Sequence, residues 1–325
     1  EAGLVVDATG ALGSGGGSVP SFTAAHDRVE LLRSRGVHLV LPRDRIRSSE
    51  GLTIRVPGRV VFVIPWGDVW LLGTTDRPHV GTSERPTATP DEAAELLSAT
   101  NQVTDANLTL DDALASFAGV RPLVAGDGSS TVKTPRTHAI REPSPGLLVI
   151  RGGKFTTHGT MAREILDRGR ARSSADGRGA GAARHDRYVV GGAGAAAAAS
   201  RVDELAATFG VDAGSVGRLV ERYGDEVTAV LELGLSTDLL RPLDPDRRYL
   251  EVEVAWAIDA ELALDLDDIL ARRLRVAIEY RDHGASFAAR AAAIAGSRLG
   301  WDPDRQVREV ADYAATAARE YDVPR

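Results

Sequence analysis

Four polar residues in the first half of the chain, His38, Arg121, Arg136 and Lys154, each stand beside apolar sequence at what reads as a strand end or a turn. Three cations converging on one pocket would hold a phosphate or carboxylate by charge-assisted hydrogen bonds, the arginines in bidentate fashion. A histidine among them, with its ordinary pKa near neutrality, is suited to act as general base. Taken singly, each is as readily a surface cation or a histidine with a structural hydrogen bond, and spacing alone does not bring the four together. His26, His38, His79, His138, His158, His185 and His283 form no close ligand pattern, and the chain has no cysteine, so no metal is expected.

The elements that must position these groups follow from the flanking patterns. The run Leu147-Leu148-Val149-Ile150 reads as a buried strand, Gly152-Gly153 as a sharp turn or a close approach to a ligand, and a helix is expected from about Thr160. The loop between them would offer backbone N–H groups, Lys154 and the hydroxyls of Thr156 and Thr157, a set suited to an anion or to the polar edge of a cofactor. An ordinary glycine turn with a solvated lysine is the alternative. Val5-Val6-Asp7 is a further strand ending at Thr9-Gly10, and residues 11–18 have the composition of a linker. Strands are expected at residues 37–41, 60–64 and 69–76, the last two forming a hairpin across Gly67-Asp68. A helix capped by Thr89 or Asp91, with Pro90 in its first turn, would bury Ala93, Leu96 and Leu97. Residues 113–123 then lead to Arg121, and a loop at 126–130 leads to Arg136.

This order predicts an α+β fold with a mixed-sheet, ligand-covering domain over residues 1–167. An Arg/Gly/Ala/Ser-rich linker over 168–186 and an all-α domain over 187–325 complete it. In the helical part, Val254, Ile258, Glu261 and Leu262 read as one face, and Leu266, Ile269, Leu270, Leu274 and Ile278 as another. The composition, 43% hydrophobic and 26% charged, is that of a folded soluble chain, and its net charge of −7 argues against nucleic-acid binding. No apolar run is long enough to span a bilayer, and the absence of cysteine fits a reducing compartment. A chain that starts at Glu1 and enters a strand at once is expected to be a fragment.

The order of segments resembles the C-terminal two-thirds of the FAD-dependent glycerol-3-phosphate dehydrogenases. It runs through Val5-Val6-Asp7-Ala8-Thr9-Gly10, Gly36-Val37-His38-Leu39-Val40-Leu41-Pro42-Arg43, Val61-Phe62-Val63-Ile64-Pro65-Trp66 and Gly73-Thr74-Thr75-Asp76. It continues with Ala118-Gly119-Val120-Arg121-Pro122-Leu123, Arg136-Thr137-His138-Ala139-Ile140, Gly152-Gly153-Lys154-Phe155-Thr156-Thr157, Ala271-Arg272-Arg273-Leu274-Arg275 and Leu299-Gly300-Trp301-Asp302. The resemblance implies oxidation of sn-glycerol 3-phosphate to dihydroxyacetone phosphate, with hydride passing to FAD and electrons to a quinone. It implies that His38 is the base, that Arg121 acts in the catalytic site, and that Arg121, Arg136 and Lys154 bind substrate. Thr9, Gly10, Gly153, Lys154 and Thr156 would lie against the flavin. It further implies a cytoplasmic protein with peripheral membrane contact, lacking its N-terminal FAD-binding half. Three departures stand out: His158-Gly159 replaces the family's usual Tyr-Arg, Thr137 replaces Asp, and residues 13–18 replace an aromatic. An oxygen-using oxidase is a near relative, and a non-catalytic remnant or split subunit is the reading from another class.

Overall fold

Val37, Leu39 and Leu41 point to one side of a strand, and the residues between them to the other, because side chains alternate across a pleated sheet. The structure is a computed structural model and describes residues 4–11, 31–79, 85–125, 136–173, 189–246 and 248–325. The glycine-rich stretch 13–18, the loop 126–130, His26, His185 and residues 174–186 of the expected linker lie outside the described residues. Two compact units divide the chain, Glu1–Ala182 with Val323–Arg325, and Ala183–Asp322. The first unit contains β1 (Val5–Asp7), β2 (Leu31–Pro42), β3 (Leu52–Val56), β4 (Arg59–Trp66), β5 (Val69–Gly73), β6 (Arg77–Pro78), α1 (Pro90–Asn101), β7 (Ala115–Val124), β8 (His138–Ser144), β9 (Leu147–Gly152) and α2 (His158–Ser173).

β2 is the axis of an antiparallel sheet. β7 runs along one side of it in ten register pairs, from Leu31↔Val124 to Val40↔Ala115. On its other side come β5 and then β6, with β4 and β3 beyond β5. The β4–β5 hairpin closes at Trp66↔Val69, so Gly67-Asp68 is the turn, and Gly67 takes the positive φ of +53° that such a turn requires. One face of this sheet packs on α1, with Val37, Leu39, Leu41, Val61, Val63 and Leu72 buried against Ala93, Leu96 and Leu97. Each such side chain contributes roughly 1.5–3 kcal/mol by leaving water. Thr89, rather than Asp91, caps α1 in a reciprocal box with Glu92, and Pro90 occupies the first turn as the pattern predicts.

A smaller mixed sheet has the order β1-β9-β8, with β1 parallel and β8 antiparallel to β9. Its strands are tied by a buried ion pair, Arg151 of β9 donating to both carboxylate oxygens of Asp7 at 2.9 Å. The helix after β9 continues through Arg168 to Ser173, where composition suggested a linker.

The second unit contains α3 (Ala195–Ala199), α4 (Val202–Phe209), α5 (Ala213–Tyr223), α6 (Val227–Thr237), α7 (Glu251–Asp259), α8 (Val276–Glu279), α9 (Ala285–Leu299) and α10 (Pro303–Tyr321). Two expectations are corrected here. Leu262 lies beyond the end of α7 with φ +58° and is 75% exposed. The apolar series from Leu266 to Ile278 is no single helix: a π-helical segment, Asp267–Arg273, is separated from α8 by Arg275, whose φ of +66° breaks the rise. The alanine-rich α9, unremarked in the apolar pattern, supplies Ala288, Ala291, Ala292 and Ala295 to the core beside Leu270 and Tyr313.

Candidate functional site

The face of the large sheet opposite α1 carries the first three candidates. On β2, Ser34, Gly36 and His38 point to this face. Their register partners on β7 are Arg121, Gly119 and Phe117, and Gly73 of β5 sits opposite His38. The His38 ring lies flat on Phe117, with centroids 4.8 Å apart and planes at 8°. It also leans over Gly73, where a Cβ would come within 2.2 Å of its Cδ2. Arg121 lies across β2 in the same direction, over Gly36, where a Cβ would come within 2.1 Å of Nη2. These two glycines are therefore what allows both side chains to lie flat on the sheet.

The guanidinium of Arg121 ends at residues 74–76. Nη2 donates to Thr74 Oγ1 at 2.8 Å, and Nη1 makes longer contacts, 3.4 Å each, to Ser34 Oγ and the Thr75 carbonyl. Asp76 accepts from the Ser34 hydroxyl and faces Arg136 Nη2 at 3.8 Å. Burial, and secondly the Arg136 cation beside it, lowers the proton affinity of Arg121, while Asp76 opposes that effect. His38 is pushed down to about 4, by burial first and by the Arg121 charge second, so its imidazole is neutral at physiological pH. His38, Arg121 and Arg136 thus form one electrostatically coupled cluster, a neutral base beside two cations and one carboxylate.

His38 and Arg121 are not at strand ends, as the sequence suggested, but in mid-strand. Gly36 and Gly119 resemble strand breaks in a sequence, yet in register opposite each other they continue the ladder, and Gly36 clears the space that Arg121 occupies. Lys154 belongs to the other sheet, following β9 at the start of a 3-10 turn, and its ammonium has no ion-pair partner among the described residues. The N–H groups of its loop are less available than expected. Gly153 N–H donates to the Thr137 carbonyl at 3.1 Å and Lys154 N–H to Thr157 Oγ1 at 3.3 Å. Gly152 and Gly153 have φ of +75° and +85°, and Cβ atoms there would meet the Thr137 carbonyl and Met161. Both glycines serve turn and packing, which is why no side chain fits.

Because β1 and β9 are parallel neighbours, Thr9-Gly10 and Gly152-Gly153-Lys154 leave the small sheet at the same carboxyl edge. Thr9 donates to Asp7 through both N–H and hydroxyl, Gly10 has φ +66° with open space where a Cβ would be, and Thr156 is exposed. Open α/β sheets bind ligands along this edge. Sequence reasoning passed over Phe117, Gly36, Gly73, Asp76 and the Asp7–Arg151 pair as site residues. The two-residue alternation Ser34, Gly36, His38 was the signal that could have found Gly36. Among the described residues no group of acidic or histidine side chains is placed to hold a metal ion.

With this geometry in place, residues 182–306 match the family described as the C-terminal domain of alpha-glycerophosphate oxidase. Over 318 residues, 98% of its length, the chain is 37% identical to the glycerol-3-phosphate dehydrogenase of Mycobacterium leprae, covering 54% of that protein. It is 36% identical to glycerol-3-phosphate dehydrogenase 2 of Mycobacterium tuberculosis, with the same coverage. The solved structure of the glycerol-3-phosphate dehydrogenase from Bacillus halodurans, complexed with FAD, shares the fold at a TM-score of 0.77 and 23% identity, over 98% of this chain and 62% of that one. The chain is thus related, nearly end to end, to the glycerol-3-phosphate dehydrogenases, and it spans about half the length of the curated relatives it matches.

Proposed function

We propose that the chain supplies the substrate-facing and C-terminal parts of an FAD-dependent dehydrogenase oxidising sn-glycerol 3-phosphate to dihydroxyacetone phosphate. Polypeptide beyond these 325 residues would supply the FAD-binding half, and a quinone would take the electrons. The observation that carries this reading is the cluster of a neutral His38 beside Arg121 and Arg136 on one sheet face, in a chain related to enzymes of that name. The same face continues into an apolar stripe, with Phe62 paired to Gly73 and exposed together with Val60, Ile64 and Trp66, as a surface awaiting a covering part would be.

The carboxyl edge of β1 and β9 suits FAD. Gly10 leaves room for close approach, Lys154 brings a cation with no ion-pair partner among the described residues, and Thr9, Gly153 and Thr156 complete the set that would hold the cofactor. Bound FAD supplies the acceptor for the hydride leaving C2. This chain's residues then have three tasks. Arg121 and Arg136 grip the phosphate, Arg136 exchanging its long contact with Asp76 for a dianion. His38, neutral and held by Phe117, takes the proton of the C2 hydroxyl as the carbonyl forms. Lys154 polarises the oxygen on which negative charge develops. Quinone reduction would call for peripheral contact with the cytoplasmic face of a membrane; no described helix is long and apolar enough to cross one.

A polypeptide joining this chain to its FAD-binding half should be yellow, and glycerol 3-phosphate should bleach it where glycerol does not. Equal bleaching by both would contradict the phosphate role of the arginines. Stoichiometric hydrogen peroxide in air would assign oxygen, rather than quinone, as acceptor.

A further inference from the structure

Glu92 is a carboxylate for which the reaction has no use, yet it is only 2% exposed and lies in α1, on the far face of the sheet from Arg121. It accepts hydrogen bonds from Arg35 Nη2 at 2.7 Å, from the Thr89 hydroxyl at 2.9 Å and from the Thr75 hydroxyl at 3.0 Å. The Thr89 bond belongs to the helix cap, and the Arg35 bond joins α1 to β2. The Thr75 bond reaches towards the site.

Its reason lies in a gap in the ladder. Pairing of β2 with β5 ends at His38↔Gly73 and resumes with β6 at Arg35↔Arg77, so residues 74–76 pass Gly36 and Val37 without backbone pairing. Val37 N–H donates instead to Thr75 Oγ1 at 3.1 Å, as a buried donor must find some acceptor. With that lone pair engaged, the Thr75 hydroxyl gives its proton to Glu92, an ionised carboxylate being an acceptor only. On the site face, the Thr74 hydroxyl donates to the Thr75 carbonyl at 3.1 Å and accepts from Arg121 Nη2 at 2.8 Å. Arg59, paired with Glu95 of the same helix, adds a second tether by donating to the Thr74 carbonyl at 2.8 Å.

We propose that Glu92 is a positioning residue for Arg121, acting through Thr75 and Thr74, so that α1 fixes from behind the sheet where the guanidinium lies in front of it. Its consequence for turnover rests on the reading of Arg121 as a phosphate ligand, but the positioning itself is measurable without it. Side-chain N–H exchange of Arg121, followed by NMR, should be slow while Thr74 is held. Glu92→Ala should speed it about tenfold, the equivalent of one lost hydrogen bond, and Thr75→Val, which leaves the Arg35 and Thr89 contacts in place, should do the same. Glu92→Gln, which keeps an oxygen acceptor for Thr75, should restore slow exchange. Leu97→Ala, a core truncation in the same helix, should lower Tm without altering Arg121 exchange. In the FAD-loaded enzyme the same two variants should raise KM for glycerol 3-phosphate about tenfold with kcat nearly constant, the pattern of weakened uniform binding. Unchanged exchange in Glu92→Ala and Thr75→Val, or equal acceleration in Leu97→Ala, overturns the proposal. Faster exchange with KM unaltered upholds the positioning and contradicts instead the assignment of Arg121 to the phosphate.

Discussion

In its proposed role as base, His38 couples packing to chemistry. Its ring is stacked on Phe117 and buried beside a cation, and burial first and the Arg121 charge second disfavour imidazolium. The acid limb of kcat/KM, which reports the free enzyme, should therefore fall near pH 4 rather than near the ordinary 6.5. Protonation at lower pH removes the base, so activity is lost as pH falls through the limb. Stability carries the same sign. The unfolded chain takes up this proton at about 6.5 and the folded chain at about 4, so His38's contribution is complete above 6.5 and is lost as pH falls towards 4. A limb at 6.5 that persists in the free enzyme would remove His38 as the base. His38, Arg121 and Arg136 stood out in the sequence as polar groups beside apolar runs, but spacing did not show that they gather. Their glycine neighbours did not stand out, since Gly36 and Gly73 matter through atoms they lack, and only the register across β2 reveals what a Cβ would strike.

Among the elements, β1 and β9 bear most directly on the edge proposed to hold FAD. Asp7, its carboxyl held well below the usual range chiefly by the Arg151 hydrogen bonds, joins the ends from which Thr9 and Lys154 emerge. Asp7→Ala leaves an almost wholly buried guanidinium without its carboxylate and should cost about 3 kcal/mol in chemical denaturation of the first unit, near the lower end for broken buried pairs. A loss below 1 kcal/mol would make the pair incidental. Elements with strong local signals were legible: the β4–β5 hairpin from Gly67-Asp68, and α1 from Thr89-Pro90 and its apolar face. Those that depend on distant partners were not. Nothing local distinguishes the π-helical segment Asp267–Arg273 from an ordinary helix, and α9 hides its apolar face in alanines whose burial depends on neighbours far along the chain. Arg151 drew no notice in the sequence because its partner lies 144 positions away.

At the scale of the whole chain, a net charge of −7 coexists with a local cluster of two arginines and one nearby carboxylate. In the proposed role, an anion would be drawn by this short-range arrangement and not by the overall field, whose sign is unfavourable. Relatives of about twice this length, and a sheet face bearing both the cluster and an exposed apolar stripe, support a reading in which the substrate lies between this chain and a flavin-bearing part. Arg121 is the residue on which that reading turns. Its replacement by alanine in the FAD-loaded enzyme is the most direct measurement. One charge-assisted hydrogen bond contributes about 1.5–3 kcal/mol, so kcat/KM for glycerol 3-phosphate should fall roughly ten- to a hundredfold. An unchanged kcat/KM would place Arg121 outside the site and contradict the account.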